Sequence, residues 1–390
     1  MKKTPPLLFL IAGEHSGDAL GARLMAALKT QSAGRIDFAG IGGPRMEAEG
    51  LESLFSMSEL SVMGLAEVLP RVPKLLFRLR QTVADIKTRQ PSAVLSIDAP
   101  DFCFRVAKRL KGQGIPLIHY VAPQVWAWRP GKAKVAAQLF DRLMVLLPFE
   151  TPYFEAEGLS STFVGHPVVE TANNGGDGQA FRRHHGISTA APLVCVLPGS
   201  RRNETARLLP VFSETLALLR KQLPDLRVVV PTVEGVAEQV AAAAAGWRPS
   251  PLITHGQADK LDAFAAADVA LAASGSVTLE LAMAKTPTVI AYKLNPLTAL
   301  LARRLIRVRY VNLINLILDR QALPEFLLEN CKAEKLAAAL AGILTDDAAR
   351  QAQGAAFEEV LQKLGLGGPP PSEKAAEIVL AMITQPLKHV

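Results

Sequence analysis

Short apolar runs, each followed by a segment of helical period, recur along most of this chain, and that alternation restricts its possible folds severely. In the first half, Leu7–Ala12 predicts a strand. Ala19–Thr30 predicts a helix with Leu20, Leu24, Ala27 and Leu28 on one face. Ile36–Ala39, Ala93–Ile97, Pro116–Val121 and Arg142–Leu146 predict further strands, separated by helices over Arg80–Arg89, Phe102–Lys111 and Ala133–Leu139. Strands that are apolar throughout and joined by helices imply parallel sheets with helices on both faces.

The pattern then restarts. Gly165-His166-Pro167 and the Asn/Gly-rich stretch Thr171–Gly178 predict a linker. Strands follow at Leu193–Leu197, Leu226–Val230, Pro251–Thr254, Val269–Ala272 and Thr288–Ala291, with helices between them. The expectation is α/β, with two doubly wound Rossmann-like domains: 1–170, 171–350, and C-terminal helices over 351–390. Gly365–Pro371 breaks those helices, which either cross back to the first domain or exchange with a second copy in a homodimer. In such folds ligands sit at the carboxyl ends of the strands.

Composition narrows the partners. The 390 residues are 49% hydrophobic and 20% charged, enough apolar material for two cores. A net charge of +7 points to an anionic partner. Nucleic acid is set aside, because aromatic residues are only 6% and no nucleic-acid motif is present. Cys103, Cys195 and Cys331 lie far apart in apolar runs, as buried thiols of a reducing compartment do. Lys2-Lys3 followed by Leu7–Ile11 superficially resembles a signal peptide, but the run is short and leads into Gly13-Glu14-His15-Ser16-Gly17-Asp18. A first strand of a cytoplasmic protein is the expectation.

Six stretches carry candidate chemistry or ligand contacts. Val194–Leu197 ends in Pro198-Gly199-Ser200-Arg201-Arg202 before a predicted helix, a turn that directs unpaired N–H groups and positive charge at one spot. It reads equally as a diphosphate cradle and as an ordinary βα loop with two solvated arginines. Ser274-Gly275-Ser276-Val277-Thr278-Leu279-Glu280 also follows a strand; its small residues admit a phosphate, and Glu280 suits ribose hydroxyls. Asp98 ends a strand, where a carboxylate can accept a hydroxyl proton; either Asp98 or Asp101 could cap the helix that follows, and the cap is assigned mainly to Asp101 and the chemistry to Asp98. Pro123–Arg129 places Trp126 and Trp128 in one loop, as a sugar or acyl platform or as a hydrophobic plug. Leu60–Arg80 interleaves Val62, Met63, Val68, Leu69, Val72 and Leu76 with Arg71, Lys74 and Arg78, a pattern shared by acyl or anionic-membrane contacts and by amphipathic core helices. Arg303–Arg309 has the same ambiguity.

In combination these motifs resemble the lipid-A-disaccharide synthase family of GT-B glycosyltransferases. The likeness spans Ala12-Gly13-Glu14-x-Ser16-Gly17-Asp18, Gly40-x-Gly42-Gly43-Pro44-x-Met46, Ser61-Val62-Met63-Gly64, Asp98-x-Pro100-Asp101-Phe102, Pro123-x-Val125-Trp126-Ala127-Trp128, Gly165-His166-Pro167, Leu197-Pro198-Gly199-Ser200-Arg201 and Ser274-Gly275-x-x-Thr278-Leu279-Glu280. The resemblance implies a GT-B fold whose two domains face across a cleft. It implies inverting transfer from UDP-2,3-diacylglucosamine to 2,3-diacylglucosamine 1-phosphate (lipid X), without metal or cofactor. By position, Asp98 is implied as general base and Arg201 as the leaving-group stabiliser. Ser16, Ser200, Ser274, Gly275, Thr278, Glu280 and Asn315 are implied as substrate contacts. Val62, Met63, Val68, Leu69, Val72 and Leu76 would meet acyl chains or the anionic cytoplasmic face of the inner membrane. The chain departs from the family pattern at Leu313-Ile314-Asn315, where Leu-Pro-Asn is usual, and near Leu328, where a glutamine is common.

Overall fold

The structure is a computed structural model, and it describes residues 5–60, 72–128, 130–171, 175–295, 299 and 308–384. Two compact units emerge. One comprises Met1–Pro167 with Gly367–Val390, the other Val168–Leu366.

The first unit holds a six-stranded parallel sheet in the order β2-β1-β3-β4-β5-β6. Its strands are β1 (Leu7–Ala12), β2 (Asp37–Ile41), β3 (Ala93–Ile97), β4 (Leu117–Tyr120), β5 (Arg142–Val145) and β6 (Ser161–Phe163). The strand order reverses between β1 and β3, and the register Ala12↔Ile97 brings their carboxyl ends level. Leu8 to Ala12 and all of β3 are buried, which explains their unbroken apolar character. Helix α1 (His15–Gln31) covers one face through Leu20, Leu24 and Leu28. Helix α2 (Pro44–Ala48) is a short turn after β2. On the other face lie α3 (Val72–Arg89), α4 (Pro100–Leu110) and α5 (Gly131–Leu139). The C-terminal helix α15 (Pro371–Thr384) packs Ala375, Ala376 and Val379 into the core beside α1, and Gln31 Nε2 donates to the Glu373 carbonyl at 3.0 Å.

The second unit repeats the design in the order β12-β11-β10-β7-β8-β9, again all parallel. The strands are β7 (Leu193–Leu197), β8 (Arg227–Thr232), β9 (Leu252–His255), β10 (Val269–Ala273), β11 (Thr288–Tyr292) and β12 (Glu325–Leu327). Here the order reverses between β7 and β10, with Ala272 opposite Leu197. The helices that bear on the site are α8 (Arg202–Gln222), α10 (Gln257–Ala266), α11 (Val277–Met283) and α12 (Leu313–Leu318). Helix α14 (Asp347–Lys363) sends Gln353 to the start of β11, where its amide accepts from Thr288 N–H at 2.7 Å.

Two strands lie beyond the periodic pattern of the sequence. β6 and β12 are three residues each, too short for an apolar period to register. Helix α3 starts at Val72, eight residues before the helix expected from Arg80.

Candidate active site and family

In the first unit, the loop after β1 and the loop after β3 lie side by side at the point where the strand order reverses. The backbone is strained there: Asp98 (φ 54°) and Ala99 (φ 44°) are consecutive non-glycine residues in the left-handed region. Gly13 makes the turn sterically possible, because a Cβ at that position would lie 2.6 Å from Ala99 Cβ. The turn presents the half-buried Asp98 carboxylate, to which the Ser16 hydroxyl donates at 3.4 Å. Burial pushes the Asp98 carboxyl above its usual range, while hydrogen bonds from Ala99 N–H and Ser16 partly hold it down. A carboxylate so placed can accept a proton from a hydroxyl docked at the strand ends.

Asp101 does not cap the following helix. The N-cap of α4 is Ala99, Pro100 takes the first helical position, and Asp101 is an exposed first-turn residue 3.5 Å from Lys132 Nζ. Asp18 is the capping group of this region. It is buried and accepts from the N–H groups of Gly43, Arg45 and Met46 at 2.9–3.1 Å, closing the N-terminus of α2.

The two tryptophans of the loop after β4 differ in burial. Trp126 is buried, and its indole N–H donates to Glu150 Oε1 at 3.1 Å. Trp128 is exposed. Glu150 is itself buried, also accepts from Leu147 N–H at 3.0 Å, and is pushed up to about 7 by burial. Nothing in the linear sequence singles out Glu150, whose role depends on a tryptophan 24 residues away.

In α3, Val72, Leu76 and Phe77 are exposed while Leu79, Val83 and Ile86 are buried, so its first turns offer an uncovered apolar face. Glu59 pairs with Arg78 at 2.7 Å and Lys74 at 3.3 Å, neutralising part of that segment's positive charge. Val62, Met63, Val68 and Leu69 lie outside the described residues, as do residues 301–307.

In the second unit, a cleft of about 700 Å³ opens at the carboxyl ends of β7 and β10. Ser200, Ser274, Gly275 and Glu280 line it, together with Lys260 from α10. The turn after β7 needs Gly199, whose φ is 107°. The N–H groups of Ser200 and Arg201 face the Glu204 carboxylate and help to hold its pKa down; Arg201 is the N-cap and Glu204 stands three residues on, the spacing of a capping box. That spacing was the signal available in the sequence. Burial raises the Glu204 carboxyl, and the Arg201 charge opposes the rise. Arg201 itself is exposed next to the cleft-lining Ser200. Arg202 is not merely solvated, since its Nε donates to the Gly235 carbonyl at 3.3 Å.

Two expected contact residues are occupied elsewhere. Thr278 is buried, and its hydroxyl donates to the Gly275 carbonyl at 2.8 Å, shaping the turn rather than reaching into the cleft. Asn315 is fully buried: its Oδ1 accepts from Ala322 and Leu323 N–H, and its Nδ2 donates to the Leu323 carbonyl and to Glu325. All four hydrogen-bonding places of that amide are filled from within the protein.

A family model for lipid-A-disaccharide synthetase matches residues 8–379. The chain belongs to the lipid-A-disaccharide synthetase family. It is 58% identical over 384 residues to the lipid-A-disaccharide synthase of Rhodospirillum centenum, covering 98% of this chain and 96% of that one. It is 52% identical over 383 residues to that of Paramagnetospirillum magneticum, covering 97% and 98%. The protein is therefore an enzyme of this family, a glycosyltransferase of lipid A disaccharide synthesis. Its fold is GT-B, shared with the glycosyltransferase of kitacinnamycin (TM-score 0.65, 15% identity, 97% of this chain and 99% of that one). The UDP-GlcNAc 2-epimerase of Neisseria meningitidis, solved with UDP-GlcNAc, is also similar in fold (TM-score 0.63, 9% identity, covering 97% and 98%). Among the described residues no helix is long and apolar enough to cross a membrane.

Proposed function

We propose that the chain joins a 2,3-diacylglucosaminyl group from UDP-2,3-diacylglucosamine to the 6-hydroxyl of lipid X, with inversion. The observation that carries this reading is Asp98, a half-buried carboxylate held at the β3 terminus by two left-handed residues and Ser16. Asp98 takes the proton of the acceptor hydroxyl as its oxygen attacks the anomeric carbon. The bond from that carbon to the diphosphate breaks, and UDP departs with the electron pair.

The second unit's cleft holds the UDP-sugar. Glu280 accepts from the ribose hydroxyls, and Ser200, Ser274 and Gly275 admit the diphosphate. Arg201 meets the charge that develops on the leaving group, in the bidentate form that suits phosphate. The Glu204 carboxylate also faces the amides of the β7 turn, so the positive charge of Arg201 carries more of this task than the amides do. Thr278 and Asn315 serve by shaping loops. The exposed Val72 and Leu76, with Val62, Met63, Val68 and Leu69, meet acyl chains or the anionic cytoplasmic face of the inner membrane.

Incubation of the purified protein with both diacyl substrates, read by mass spectrometry, tests the proposal. Disaccharide 1-phosphate and UDP should form together, and only when lipid X is present. UDP release or sugar epimerisation without lipid X would overturn it.

A further inference from the structure

Among the residues lining the cleft of the second unit, Lys260 is the one lysine or arginine, and Glu204, Glu234 and Glu280 share that lining. Its Nζ lies 2.5 Å from Glu280 Oε2, and both side chains are largely enclosed, at 21% and 29% exposure. The position is otherwise unfavourable for a cation. Lys260 is the fourth residue of α10, close to the positive end of that helix dipole. Its ammonium also lies 5.9 Å from the Phe264 ring one turn on, which fixes the stem alongside the cleft. A lysine kept against the helix dipole, partly desolvated and in contact with one carboxylate of three, is placed to set that carboxylate's orientation.

We infer that Lys260 is a positioning residue for Glu280: its ammonium holds Oε2, so that Oε1 is presented to the ribose hydroxyls of a uridine nucleotide. The inference rests on the UDP-sugar reading above. Lys260 makes no contact with the diphosphate in this arrangement, and its effect on binding passes through the ribose. Glu280 without its lysine is free to change rotamer, and the ribose diol then meets no fixed acceptor.

Calorimetric titration of the full-length protein with UDP and with 2′,3′-dideoxy-UDP separates these effects. Wild type should favour UDP by about tenfold, the scale of a charge-assisted hydrogen bond pair. Lys260→Met should reduce that preference to about twofold or less, as should Glu280→Gln, and the double variant should lose no more than either alone. Lys260→Arg, which keeps the ion pair, should restore it. The inference is overturned if Lys260→Met weakens both ligands alike and leaves their ratio intact, the behaviour of a lysine that touches the diphosphate or only supports the fold. Lys260→Gln gives the same readout should the methionine variant not fold, with the thermal midpoint recorded for each protein. Absence of UDP binding by wild type would instead sink the UDP-sugar reading itself.

Discussion

The Ser16 hydroxyl and the Asp98 carboxylate meet at 3.4 Å where β1 and β3 end level, although 82 residues separate them in the chain. That hydrogen bond favours the ionised carboxylate, while burial disfavours it. The proposed base is active when ionised, so kcat/KM should rise with pH through an apparent pKa above the ordinary carboxylate range. Ser16→Ala removes an interaction that lowers the value, and the acid limb of the profile should move to higher pH. An unmoved limb in the Ser16→Ala pH–rate profile would mean that Ser16 does not act on Asp98.

Gly13 lies under the same turn. Adding one methyl there places it 2.6 Å from Ala99 Cβ, and the Asp98–Ala99 backbone has to shift. Gly13→Ala should lower kcat by about 10–100-fold, the scale expected for a displaced catalytic group. UDP affinity, measured by calorimetry, should stay within about twofold, because the cleft belongs to the other unit.

Gly275 is the reverse case. A Cβ at Gly275 meets nothing within 4 Å, so the unliganded protein tolerates a larger residue there. Gly275→Val should change stability by less than about 0.5 kcal/mol yet weaken UDP binding at least about tenfold. Unchanged UDP affinity would show that the nucleotide does not occupy the space beside the β10 loop.

The buried pair Glu150 and Trp126 sets a pH dependence of stability. The folded-state pKa of Glu150 is raised to about 7 by burial. A raised value means that its stabilising contribution is full below the unfolded carboxyl pKa and is lost as pH rises through about 7. Urea unfolding of wild type and Glu150→Gln between pH 5 and 8 should show wild type losing roughly 2–3 kcal/mol relative to the variant. Parallel curves across that range would contradict the assignment.

Asn315 should behave as a structural residue. Asn315→Ala leaves the half-buried Ala322 N–H and the buried Leu323 N–H without their acceptor. The cost should be about 3 kcal/mol in chemical denaturation. If stability is unchanged while substrate affinity collapses, Asn315 contacts the ligand directly.

Much of the candidate site is legible in the sequence, for a physical reason. Asp98, Ser200, Ser274 and Gly275 follow the ends of apolar strands, where this class of sheet puts its ligands, and Glu280 lies in the helix that one of those loops opens. The strands themselves were legible because both faces are buried, which makes β3, β7 and β10 apolar throughout. The edge strands β6 and β12 were not, since three residues carry no period. Asp98 and Asp101 were both candidate caps, and only the left-handed turn at Asp98–Ala99 decided that neither side chain fills that place.

The sequence by itself therefore determined the class of fold, the family, and the loops proposed to carry the chemistry, because local backbone preference and the apolar period are written in neighbouring residues. The tertiary structure decided which polar atoms are spent. Thr278 and Asn315 already have partners, the Ser200 and Arg201 amides face Glu204, Glu150 is held for Trp126, and Lys260 for Glu280. A buried hydrogen bond depends on which strand ends stand side by side. Here those are β1 with β3 and β7 with β10, neighbours in space that are not consecutive along the chain.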